Sequence, residues 1–210
     1  MNEIQIIVDE ARRQGEAGSA AWQDVAVTSA QSLSDTERRI IAGWAADCAE
    51  RVLPLFTAEA PDDGRVRDAI ARTRSYAAGG STAAEEIRNR MIAVRAASVA
   101  NSPAGAAAAR AAAQASAVAH LAAHALGAAA YAAKAVSLAN PDRPRAIQDE
   151  IDWQLRRLTE EQRAVLRQLP PLGDGSGGPL GPGLLTRGVL GMVIREIQTA
   201  IRAHPDQHGR

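Results

Sequence analysis

The run of alanines between Pro103 and Ala139 constrains this chain more than any other feature. Alanine has the best intrinsic helix propensity and no side chain to order, so the run reads as helix. It has little beyond methyl groups to bury, so helices built from it must pack closely. Ser102 and Pro103 stand as N-cap and first helical residue, and Asn140 and Pro141 close the run. Unbroken, the segment would extend about 55 Å at 1.5 Å per residue. An interruption is therefore expected before His120.

Within it, "AHLAAHALGAAAYAAKA" (119–135) carries two histidines, a tyrosine and the only lysine among 24 basic residues. At about 100° per residue, His120, His124, Gly127, Tyr131 and Lys134 share one sector, with Val118, Leu121, Leu126 and Val136 opposite. A helix facing water sets an apolar face against a charged one. Here the second face is small residues punctuated by polar tips, which places the helix at the centre of the fold. Lys134 supplies a compact ammonium where a planar guanidinium does not fit, or else snorkels from the helix end. His120 and His124 at i, i+4 are weak metal candidates, because no third ligand stands at motif spacing. Hydrogen-bonded structural histidines are the better reading, with no metal and no cofactor expected.

Elsewhere the helical signals are local. Ser34 and Glu37 form a capping-box pair ahead of Ile40, Ile41, Trp44, Ala45, Cys48, Val52 and Leu55, and Pro54 is expected to kink or end that helix. Asp47 and Arg51 are spaced as an ion pair that edges a polar pocket beside Trp44, with Asp68 as a further carboxylate. Cys48 lies on the apolar stripe as a packing residue. A helix from Arg65 to Tyr76 follows. Thr82 and Glu85 open another, carrying Ile87, Met91 and Val94. Ile147, Ile151, Leu155 and Leu158 mark one face of the next, and Thr159 and Gln162 begin a short one.

Nothing reads securely as strand, so the class is all-α: a single-domain multi-helix bundle with an alanine-rich central helix. Residues 1–32 form an N-terminal extension, with a helix through Arg13 and a short one near Trp22. Residues 33–169 form the helical domain, 170–183 a flexible Pro/Gly linker, and 184–210 an amphipathic helix and tail. That last helix docks on its own core, exchanges with a second copy to make a homodimer, or is presented to a partner.

Lys+Arg and Asp+Glu both count 24. A zero net charge gives no general pull toward phosphate backbones or anionic lipid, and 3% aromatic content leaves few stacking platforms. No nucleic-acid or membrane partner is expected. Lys134 alone would cost a membrane span about 3 kcal/mol. One cysteine and an acidic N-terminus suit a cytoplasmic protein. "GDGSGGP" (173–179) is similar to the nucleophile motif of chymotrypsin-like proteases, but it has an extra glycine and the chain lacks the strands for two β-barrels. No phosphate-binding loop, dinucleotide fingerprint or CxxC occurs, so the chain is expected not to be an enzyme.

Three stretches, "LSDTERRIIAGWAADCAERVLPLF", "AHLAAHALGAAAYAAKA" and "EIDWQLRRL", together resemble an α-helical family of immunity proteins linked to bacterial polymorphic toxin systems. The likeness runs from about Leu33 to Leu158. It implies a cytoplasmic bacterial protein that binds and silences a cognate toxin, and it carries no catalytic residue to transfer. Inhibitors of basic nucleases tend to be acidic, and this neutral chain does not point to that toxin class. The alternative is a small-molecule or metal-binding helical domain, or an enzyme. Its pocket would gather His120, His124, Tyr131 and Lys134, with Asp47 opposite.

Overall fold

A computed structural model describes residues 30–174 and 177–203. The helices expected near Arg13 and Trp22 lie outside the described residues. The rest is all-α, with no strand among the described residues. In chain order the helices are α1 (Asp35–Thr57), α2 (Arg65–Ala77), α3 (Ala83–Asn89), α4 (Met91–Ala96), α5 (Pro103–Ala117), α6 (His124–Ala139), α7 (Ala146–Arg157) and α8 (Glu160–Arg167). A 3-10 turn at Leu184–Thr186 precedes α9 (Gly188–Ala203).

At four helix starts a side chain closes an orphan amide, as the sequence spacing requires. Ser34, Thr82 and Thr159 each accept from the third residue of their helix, which reaches back to the cap amide. Ser102 accepts from the Gly105 amide with Pro103 at the first helical position. Pro54 does not end α1, which runs one more turn to Thr57. A proline this close to the C-terminus costs a single ladder bond, and the Glu50 carbonyl left over belongs to a solvent-facing residue.

The alanine-rich run is two helices. α5 and α6 pack against each other, and α1 packs on both. α2 and α4 add to α5, while α7 and α9 add to α6. Methyl-only surfaces permit this close approach, and nearly every alanine of α5 and α6 is buried. The interruption spans 118–123, where no glycine or proline stands. Its cause is tertiary: the Ala122 and Ala123 amides bond to the Ser32 and Gln31 carbonyls at 3.4 and 3.2 Å. The segment before α1 thus supplies acceptors that an unbroken helix would have supplied itself. The helix expected through Ile87, Met91 and Val94 is likewise divided at Arg90 into α3 and α4.

The Pro/Gly stretch, read from composition as a flexible linker, is anchored. Gln31 donates from Nε2 to the Gly177 carbonyl at 2.7 Å and accepts the Leu180 amide on Oε1 at 3.0 Å. Gly178 has φ +74°, and a Cβ there would lie 2.6 Å from Gln31 Oε1, so only glycine fits. Leu180 is fully buried. α9 lays Leu190, Val193, Ile194, Ile197 and Ile201 into the same core, so its apolar face is covered in cis.

Candidate functional site

The sequence cluster around Asp47 becomes a cleft where α1, α2 and α7 meet. It encloses about 330 Å³ and is lined by Asp47, Glu50, Arg51, Arg74, Trp153 and Arg157. α1 supplies three of these because positions 47, 50 and 51 share one helical face. α7 supplies Trp153 and Arg157, four residues apart.

Asp47 does not pair with Arg51, as their spacing suggested. Its Oδ1 accepts from Arg74 at 2.8 Å and its Oδ2 from Arg157 at 3.3 Å. Arg74 also holds Glu50. Arg51 turns the other way, donating from Nε to Glu150 Oε2 at 2.6 Å, while its guanidinium lies 4.2 Å from the Trp153 ring centroid. Arg157 lies 5.9 Å from the same ring. Local i, i+4 pairing lost because Arg74 and Glu150, brought in by α2 and α7, offer better placed partners.

Behind this rim the supports are dry. Trp44 is fully buried and donates its indole N–H to the Gln154 carbonyl at 2.9 Å. It is a strut joining α1 to α7, and it does not line the cleft. Gln154, also fully buried, donates to the Ala129 carbonyl and to Glu150 Oε1, both at 3.1 Å. Glu150 is only 1% exposed. Burial pushes its carboxyl above the usual range, against the opposing hydrogen bond and charge of Arg51. Cys48 is buried and its thiol is pushed well up, by burial first and then by Glu150 and Asp47, which suits a packing residue.

The α6 stripe does not join this cleft. Ala129, which faces α7, lies about 140° around the helix from both His124 and Lys134. His124 pairs instead with Gln114 of α5 at 2.8 Å through Nδ1. Burial first, then the charges of His120 and Arg90, lower its pKa to about 4. His120 is exposed in the interruption, so it has left the register the continuous-helix reading gave it. Tyr131 is buried with its phenol pushed upward by burial, against the charge of Arg110. Lys134 is half-buried. Asp68 is exposed and sits against Gly64, away from the cleft. Among the described residues no group of three His, Cys, Asp or Glu side chains could hold a metal ion.

A second hollow of about 680 Å³ opens along the 59–65 turn beside Val99 and Asn101. Of its carboxylates, Glu59 is occupied in capping α5: it accepts from the Asn101 and Ser102 amides at 2.7 and 2.9 Å and from the Ser102 hydroxyl.

Sequence reasoning found Asp47 and Arg51 but missed Trp153, Arg157, Arg74 and Glu50. The signal for two of them was on the page. A Trp four residues before an Arg on one helix, in "EIDWQLRRL", is a spacing that stacks cation on ring.

The family comparison decides what this scaffold is. The model described as "Imm-5 like putative immunity protein" matches residues 31–161, more than half of the chain. The chain belongs to the Imm-5-like family. The match takes in Gln31, both alanine-rich helices and every residue lining the α1–α2–α7 cleft, and it stops before the Pro/Gly segment and α9. No curated protein and no solved structure matches this Imm-5-like chain. No helix among its described residues is long and apolar enough to cross a membrane.

Proposed function

We propose that this Imm-5-like protein binds a cognate bacterial toxin in the cytoplasm and neutralises it by occupation, without chemistry of its own. The family match over 31–161 carries the reading. The cleft supports it, because tryptophan and arginine are the side chains that most often dominate protein–protein binding energy. Here two arginines and a tryptophan meet on one rigid, buried foundation. The toxin is a protein whose surface enters the α1–α2–α7 cleft.

The decisive experiment co-expresses the chain with its candidate cognate toxin. The expected outcome is survival with the wild type and at least tenfold loss of protection for Trp153→Ala. Unimpeded killing in the presence of the folded wild-type protein sinks the reading.

A further inference from the structure

Resting on that reading, we propose that the cleft recognises an acidic side chain of the toxin, whose carboxylate is gripped by Arg51 and Arg157 at the edge of Trp153. As charges the site is balanced: three arginines face Asp47, Glu50 and the buried Glu150. As hydrogen bonds it is not. Both oxygens of Asp47 are taken, by Arg74 and Arg157, and Glu50 is held by Arg74 through Oε2. A basic side chain arriving from a partner would meet carboxylates whose charge Arg74 and Arg157 already offset.

The donors are in surplus. A guanidinium carries five N–H groups. Arg51 spends only its Nε, on Glu150, and its two Nη nitrogens make no hydrogen bond among the described residues. Arg157 spends one Nη on a 3.3 Å contact with Asp47. Their side chains are 41% and 56% exposed. What two arginine forks in this state match is a carboxylate, taken in paired N–H···O bonds.

The grip is also prepared. Arg51 is fixed from behind by Glu150 and from the side by the indole, so less side-chain freedom remains to be lost when a ligand arrives.

The test titrates full-length protein with the peptide acetyl-Glu-Asp-Glu-Asp-amide and with its all-lysine counterpart. The readout is the indole N–H resonance of Trp153, identified by its loss in Trp153→Phe. The acidic peptide is expected to shift that resonance saturably and the lysine peptide to leave it in place. Arg157→Gln and Arg51→Lys are each expected to weaken the response about tenfold. Among the described residues Arg157 hydrogen-bonds only to Asp47, and its side chain is 56% exposed, so its variant is expected to keep the fold, which an unchanged melting temperature verifies. A shift with the lysine peptide alone, no shift with either peptide, or an undiminished response in both variants overturns the assignment. Toxin protection is scored separately on the same chains. Full protection by Arg157→Gln also overturns it while leaving the immunity reading standing, whereas no protection by the wild type overturns the immunity reading itself.

Discussion

His124 shows how one side chain couples the alanine-rich pair to pH. Its folded pKa of about 4 lies below the ordinary 6.5, chiefly through burial. The neutral ring is therefore the form the fold prefers. That stabilisation is complete above pH 6.5 and is lost as pH falls toward 4, a difference of about 2 kcal/mol between pH 7 and 4.5. The carboxyls held low by hydrogen bonds, Asp35, Glu37, Glu59 and Asp63 among them, lose their contribution at more acidic pH. Glu150 has the opposite sign: its raised pKa favours the protonated form, so its contribution is lost as pH rises. Denaturant unfolding of wild type and His124→Gln at pH 7 and 4.5 isolates the histidine. The wild type is expected to lose about 2 kcal/mol more than the variant across that interval, and equal losses would refute the assignment. The i, i+4 histidine spacing was plain in the sequence. The partner was not, because Gln114 meets His124 only after the chain turns back through 118–123.

Gly127 and Gln114 set the approach of α5 to α6. A Cβ at Gly127 would lie 2.2 Å from Gln114 Oε1, the atom that pairs with His124. Alanine at an exposed helical glycine normally gains about 1 kcal/mol. Here Gly127→Ala must push Gln114 away and leave a mostly buried polar pair unmade, at about 1–3 kcal/mol. In a Gln114→Ala background the obstruction is gone, and the same substitution is expected to be neutral or stabilising by up to about 1 kcal/mol. Urea unfolding of the four chains measures the reversal, and the same sign in both backgrounds would refute the contact. At this scale the sequence was informative wherever the cause was local. The caps at Ser34, Thr82, Ser102 and Thr159 all stand where their spacing put them. The break at 118–123 could not be placed to the residue, because its cause is a pair of carbonyls about ninety positions earlier in the chain.

Across the whole molecule, the boundary of the family match and the boundary of the packed core differ. The match ends at 161, yet α9 lies on α6, α7 and α8, and Gln31 inside the match ties down the segment that leads to it. The cleft has the same long-range character: Arg51 meets Glu150 and Asp47 meets Arg157 across roughly half the sequence, so amphipathic periodicity could announce the helices without revealing which polar faces converge. If α9 were an arm delivered to a second subunit, removing it would leave a folded monomer. The packing argues otherwise. Leu180, Leu190, Val193, Ile194, Ile197 and Ile201 are all buried against the chain's own core, and each aliphatic side chain so buried is worth about 1.5–3 kcal/mol gross. Together the six are worth about 9–18 kcal/mol gross, comparable with the whole 5–15 kcal/mol net margin typical of a domain. A chain ending at Leu169 is therefore expected to melt without a cooperative transition and to elute as aggregate. A synthetic 170–203 peptide added in trans is expected to restore both the transition and a defined size. A truncated chain that melts cooperatively and elutes as a compact monomer would show that the matched region folds alone, and that α9 was never part of what holds the alanine-rich pair in place.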